Sequence, residues 1–193
     1  MFEIYSLSPL GATQARTDRF VDFRLTDRID RTMARMAIRQ NASPRFASSI
    51  KSRFGICLPE PGQANIGAEV NVFWINPDVW MFDADISAFE DLMGTVKSTV
   101  KENASVVDQT DNWCRFDLCR AFSHQVLERL CRLNSGTMKK NMTCGTLVEH
   151  THCFIWCLQT KTEFAILAPR SYAQSIHEAL MAAANSVTEP SVY

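Results

Sequence analysis

The chain has 193 residues, 46% of them hydrophobic, enough to bury a core in one domain or in two small ones. Its 20 basic and 21 acidic residues are interspersed and leave a formal net charge of -1, which excludes the long-range field that draws nucleic acid or an anionic membrane. The start, "MFEIYSLSPLGATQ", has no basic n-region, and no stretch approaches the roughly 20 apolar residues of a spanning helix, so a cytoplasmic protein is expected.

The first eleven residues show neither helix nor strand period and are expected to order only on a partner. Phe2, Tyr5, Phe20 and Phe23 are therefore candidate partner anchors, with ordinary core packing as the alternative. "MARMAIRQ" reads as a strand. "SPRFASSIKSRFG" then places Phe46, Ile50 and Phe54 on one helical stripe, with Ser43 as N-cap, Pro44 at the first helical position and Gly55 as terminator. The Pro- and Gly-rich "PEPGQANIGAE" (59–69) is a loop.

"FWINPDVWMF" (73–82) sets two tryptophans around Asn-Pro-Asp. Pro fixes φ at a turn position and the short Asn and Asp side chains bond their own backbone, so a hairpin is predicted, with Trp74 and Trp80 on its strands. Trp80 is expected to pack on helices at 43–54 and 87–100. Ser87 with Glu90 has the form of a capping box at the start of the second of these, and Phe89, Met93 and Val96 form its stripe. "KENASVVDQTDN" (101–112) joins two halves.

The second half runs in parallel. "WCRFDLC" is a strand, and "FSHQVLERLCRLNSG" a helix with Phe122, Val126, Leu127, Leu130 and Leu133 on one face, closing near Gly136. "FIWCLQTKTEFAILAPRSYAQ" (154–174) can be laid without a gap on residues 70–90, and Ser171 with Gln174 repeats the capping-box pattern ahead of Tyr172, Ile176 and Leu180. The tail "SVTEPSVY" is expected to fray.

Each half thus reads strand, helix, strand, strand, helix, the split β-α-β plan in which helices cover one face of an antiparallel sheet. The predicted fold class is α+β, with two pseudo-symmetric β-α-β-β-α halves at about 1–103 and 104–193 forming a single unit. A repeat of about eighty residues is too long for a solenoid.

The chemistry-bearing residues give weak signals. Seven cysteines, an odd number in a chain expected to be cytoplasmic, argue against a disulfide framework. Cys144, His150, His152, Cys153 and Cys157 raise the question of zinc, but no C-x-x-C pair occurs. His150 and His152 share one strand face while Cys153 points the other way. Buried reduced cysteines account for the pattern better, and no local signature singles out a nucleophile. Asp108, Asp111 and Asp117 are possible remnants of a pterin site, against solvated or capping carboxylates. Arg170, after Pro169, is either an anchor for an anionic group or a solvent-facing residue before a helix. His124 and His177 fall on predicted helices as ordinary helical histidines. There is no Gly-x-Gly-x-x-Gly, Walker loop or nucleophile elbow.

The order Asn76-Pro77-Asp78-Val79-Trp80, Val107-Asp108-Gln109-Thr110, "FSHQVLERLCRL" and "FAILAPRSYAQSIHEAL", together with "SPLG" at 8–11, resembles the gamma subunit of heterotetrameric sarcosine oxidase. The likeness runs from about residue 30 to 184. Asn76 and Val79 depart from the family's usual Gly-Pro-Asp-Glu-Trp. That subunit is similar to the folate-binding part of the glycine-cleavage aminomethyltransferase, whose C-terminal barrel this chain is too short to hold.

The resemblance implies a non-catalytic structural subunit in sarcosine catabolism. Its heterotetramer converts sarcosine, dioxygen and tetrahydrofolate to glycine, hydrogen peroxide and methylenetetrahydrofolate. It also implies partners: an alpha chain with NAD and tetrahydrofolate, a beta chain with FAD, covalent FMN between those two, and a zinc-binding delta chain. No catalytic, cofactor-binding or metal-ligating residue is assigned to this chain. The matching subunit of an N-methylglutamate dehydrogenase, or of another N-methyl amino acid demethylase, fits the same residues. A free-standing folate-dependent aminomethyltransferase is the alternative of a different class.

Overall fold

The computed structural model describes residues 7–43 and 46–188. In chain order they form β1 (Thr17–Phe20), β2 (Phe23–Asp27), β3 (Arg31–Ile38), α1 (Phe46–Phe54), β4 (Ala64–Ile66), β5 (Val70–Asn76), β6 (Val79–Asp85), α2 (Leu92–Val100), β7 (Ala104–Asp108), β8 (Trp113–Cys119), α3 (Ser123–Leu130), β9 (Thr143–Val148), β10 (Thr151–Gln159), β11 (Glu163–Pro169) and α4 (Ala173–Thr188). The repeat read from the sequence is present as β3-α1-β5-β6-α2 and β8-α3-β10-β11-α4. The described residues form two compact units, a first within 30–111 and 141–144 and a second within 7–29, 112–140 and 145–188.

The first unit is a five-stranded sheet in the order β4-β5-β6-β3-β7. Alternate residues of its strands point to one side, where Ala34, Met36, Val70, Val72, Phe82 and Ala84 meet Ile50 and Phe54 of α1 and Leu92, Val96 and Val100 of α2. Each such Val, Leu, Ile, Met or Phe side chain, fully buried, contributes about 1.5–3 kcal/mol, so this face holds the unit together. Helix α1 stops where the sequence predicts: Gly55 takes φ +67° and its amide donates to the Lys51 carbonyl at 2.9 Å. Pro44, the expected first helical residue, lies outside the described residues. The Asn-Pro-Asp hairpin is also present. Pro77 and Asp78 are its central pair, and Asp78 at φ +60° sits where a type II turn needs a positive φ.

The second unit is a six-stranded sheet in the order β1-β2-β8-β11-β10-β9. The sequence reading placed residues 1–103 in the first half, yet β1 and β2 extend this sheet, β2 pairing with β8 so that Thr26 lies opposite Asp117. Phe23, a candidate partner anchor, is 1% exposed and belongs to the core, with Phe20 packed on it at 5.6 Å between ring centroids. Phe2 and Tyr5 lie outside the described residues. Val126 and Leu127 of α3 and Ile176 and Leu180 of α4 are fully buried. The ring of Phe116 meets His177 of α4, which identifies the helix-covered side of the sheet. Helix α3 ends at Leu130, six residues before Gly136, and Phe122, Leu130 and Leu133 are half-buried.

The two hairpins do not superpose without a gap. In the first, Phe82 faces Val72 on the helix side; in the second, Ile166 faces Ile155 in line with Phe116. Phe82 to Ile166 is an offset of 166 − 82 = 84 residues, whereas Val72 to Ile155 is 155 − 72 = 83. The second hairpin loop is one residue longer, and a one-residue slip would turn every side chain of β10 to the wrong face.

Neither capping box forms. Asp85 Oδ1 accepts from both the amide and the hydroxyl of Ser87, at 2.8 and 2.7 Å, and α2 starts later, capped by Asp91 Oδ1 on the Gly94 amide at 2.7 Å. In the second unit Arg170–Tyr172 is a 3-10 turn, Gln174 donates to Glu178 within α4, and Tyr172 is 52% exposed rather than packed.

Candidate functional site

Each sheet carries a buried arginine–aspartate cluster on the face away from its helices. In the first unit Asp83 on β6 is fully buried. Arg31 on β3 donates to it through Nε at 3.1 Å and Nη2 at 2.7 Å, and Asn71 on β5 adds a third bond at 3.1 Å. In the second unit Asp117 on β8 accepts from Arg115 Nε at 2.7 Å, Arg115 Nη2 at 3.2 Å and Arg28 Nη1 at 2.7 Å. The Arg115 guanidinium also lies over the Trp156 ring, 5.4 Å from its centroid. Charge-assisted bonds from arginine fix each carboxylate in place, which suits it to positioning.

Of the three aspartates raised as a possible pterin remnant, Asp117 alone is buried. Asp108 closes β7 in a local turn, its Oδ1 accepting from the amide and hydroxyl of Thr110 at 3.0 and 2.7 Å, and Asp111 is exposed in the following turn. Asp108 and Asp111 belong to the first unit and Asp117 to the second. The Val107-Asp108-Gln109-Thr110 motif has a structural use: the Thr110 hydroxyl accepts from the Met33 amide at 3.1 Å and ties the end of β7 to β3.

Arg170 is an intramolecular tether. Its Nη2 donates to the Leu7 carbonyl at 2.5 Å and its amide to the Asn112 carbonyl at 3.0 Å. The "SPLG" stretch beside Leu7 is a turn: Gly11 donates to the Ser8 carbonyl, and Ser8 Oγ accepts from the amides of Leu10 and Ala12. From Leu7 onward, therefore, the N-terminal segment is ordered by the chain itself.

His177 is 3% exposed, and its Nε2 lies 2.8 Å from Asp18 Oδ2 on β1, where Arg16 also donates. Burial, the largest single influence on Asp18, raises its pKa, but the bonds from Arg16 and His177 together outweigh it and hold the carboxyl below its ordinary value. The histidine ties α4 to β1. His124 packs locally, its Nδ1 3.2 Å from the Lys161 carbonyl.

Among the described residues no group of three or more His, Cys, Asp or Glu side chains could hold a metal ion. Cys153 and Cys157 are buried, and His152 is exposed against Phe154, 5.0 Å between ring centroids. His150, expected in a strand, instead sits with Glu149 in the β9–β10 turn, both at positive φ. Burial pushes the thiols of Cys114 and Cys153 up to about 12, so each is a neutral packing group at physiological pH.

An open cleft of about 530 Å³ lies on the helix-free face of the second unit, lined among others by Arg19, Arg24, Arg28, Arg115 and Asp117. It is not readable from local sequence, because Arg19, Arg24 and Arg115 come from three different strands and Arg28 from the connection that follows β2.

No protein-family model matches the chain, and no curated protein matches it in sequence. Solved structures do match. A chain of the heterotetrameric sarcosine oxidase from Corynebacterium sp. U-96, in complex with pyrrole 2-carboxylate, is 17% identical, with a TM-score of 0.77 over 89% of this chain and 88% of that one. The fold is shared with that oxidase chain. The glycine cleavage system aminomethyltransferase T from Bartonella henselae is 13% identical, with a TM-score of 0.63 over 85% of this chain and 49% of that one, so this chain spans about half the length of the aminomethyltransferase. The resemblance read from the residues and the likeness of fold lead to the same two proteins.

Proposed function

We propose that this chain is a structural, non-catalytic subunit of a multi-subunit oxidase acting on sarcosine or another N-methyl amino acid, with the flavin, nicotinamide, folate and zinc sites on partner chains. The observation that carries the reading is the near end-to-end likeness to one chain of a heterotetrameric sarcosine oxidase, 89% of this chain against 88% of that one. The state of the polar residues supports it. The buried carboxylates are bonded within their own units, Asp83 by Arg31 and Asn71 and Asp117 by Arg28 and Arg115, and Cys114 and Cys153 are held protonated, which fits structural roles.

The test is co-expression of the tagged chain with the large and the flavin-binding chains of such an oxidase. A stoichiometric complex that survives gel filtration and oxidises an N-methyl amino acid is expected. The chain purified alone should show no flavin absorbance and release no peroxide from sarcosine or dimethylglycine. A chain that elutes as a separate monomer at micromolar concentration in the presence of those partners, or that oxidises either amine by itself, overturns the proposal.

A further inference from the structure

We propose that the cleft over β1, β2 and β8 binds a small multivalent oxyanion, a phosphate ester or a polycarboxylate, through the guanidinium groups of Arg19 and Arg24. These two residues lie directly opposite one another in the β1–β2 pair, and Thr17 opposite Thr26 forms the next pair on the same face. Like charges directly opposed across two strands repel. Neither arginine forms a hydrogen bond or ion pair among the described residues, and Arg24 Nε is shut off from solvent without an acceptor. A buried donor without an acceptor is costly unless something occupies the site.

The carboxylates nearby do not meet this need. Asp117 is engaged by Arg28 and Arg115, and Glu163, on β11 opposite Cys119 and so two strands from Arg24, bonds to neither Arg19 nor Arg24. Four guanidinium groups thus share one cleft with two carboxylates. An oxyanion between Arg19 and Arg24 would receive paired N–H donors from two planar forks, with the Thr17 and Thr26 hydroxyls beside them, and would remove the repulsion between the strands. The two-fork geometry favours an anion carrying at least two negative charges. This inference stands on the second unit alone and does not depend on the oxidase reading.

The experiment is isothermal titration of the full chain in low-salt buffer with pyrophosphate and, separately, with citrate. Saturable binding of one anion per chain is expected, weakened at least about tenfold in Arg24→Gln and by added salt. It should be unchanged in Arg53→Gln, which removes an exposed arginine of the first unit. Binding of pyrophosphate alone identifies a phosphate ester, of citrate alone a polycarboxylate, and either supports the site. If Arg24→Gln fails to fold, Arg19→Gln, altered at an exposed side chain, reads the same loss. No saturable binding of either anion up to millimolar concentration, or binding that both arginine variants retain at full strength, overturns the proposal.

Discussion

Trp74 and Trp80 stand directly opposite one another across the β5–β6 hairpin, and the indole Nε1 of Trp80 donates to the Pro59 carbonyl at 3.0 Å. Trp80 is half-buried against the core built by α1 and α2. Trp80 therefore fastens the hairpin to Pro59, at the start of the segment that the sequence predicts as a loop and that instead contributes strand β4.

Trp80→Ala removes that contact and the bond to Pro59. Complete truncation of a buried Trp costs about 3–5 kcal/mol, and for a half-buried ring about 2–3 kcal/mol is expected. Trp80→Phe keeps the ring contact and loses only the bond, at about 1 kcal/mol. Urea titrations followed by far-UV circular dichroism check the order wild type, Phe, Ala. Equal stability of the three would mean that Trp80 is exposed for another purpose.

Local signals dictated by one residue were legible in the sequence. Gly55 ends α1 because only an achiral residue takes φ +67° cheaply, and Pro77 with Asp78 makes the turn. Signals that depend on competition were not. Ser87 and Glu90 have the spacing of a capping box, but Asp85, two residues upstream of Ser87, takes the serine hydroxyl, and Asp91 reaches the Gly94 amide instead. Pairing across the chain was also hidden: nothing local tells β2 to join β8, and the bond from Arg28 to Asp117 exists only through that pairing. The repeat was visible because hydrophobic spacing survives divergence, while the extra residue in the second hairpin was masked by apolar runs that read alike in either register.

Thiol reactivity follows from burial. Cys57 is exposed, Cys119, Cys131 and Cys144 are half-buried, and Cys114, Cys153 and Cys157 are buried. A thiol with its pKa pushed up to about 12 is ionised to only about one part in ten thousand at pH 8. Native protein should thus show one fast thiol towards an aromatic disulfide reagent, lost in Cys57→Ser, and all seven only after denaturation. Fast reaction of Cys114 or Cys153, located by peptide mapping, would show that the second unit opens readily.

The Asp18–His177 pair gives the stability a pH signature. Asp18 has its folded pKa below the ordinary carboxylate value of 3.8. Its contribution is therefore fully present above that unfolded value and is lost as pH falls through the folded one. Asp18→Asn should lower the melting temperature at roughly pH 5 to 7, where hydrogen bonding to the ionised carboxylate contributes about 1.5–3 kcal/mol, and the gap to wild type should close below about pH 4. A gap that persists unchanged to pH 2 or so would assign the effect to packing of the asparagine instead.

The Arg31–Asp83 pair makes the sharpest test of the buried polar faces, because burial makes its two members unequal to their sum. With Asp83 fully buried, Arg31→Met removes both guanidinium bonds to its carboxylate, and breaking a buried ion pair by removing one partner costs about 3–5 kcal/mol. Replacing both, as Arg31→Met with Asp83→Leu, removes the desolvation cost of two ions together with their attraction, and such exchanges are often neutral or better. The double variant should consequently be more stable than Arg31→Met alone by at least about 2 kcal/mol, a coupling read from a double-mutant cycle in denaturant titrations. If Arg31→Met costs less than about 1 kcal/mol, water reaches Asp83 and the cluster is a solvated surface pair. If instead the double variant is the least stable of the set, the pair is needed to define the β3–β6 register, which lies beside it at Met33 and Asp83.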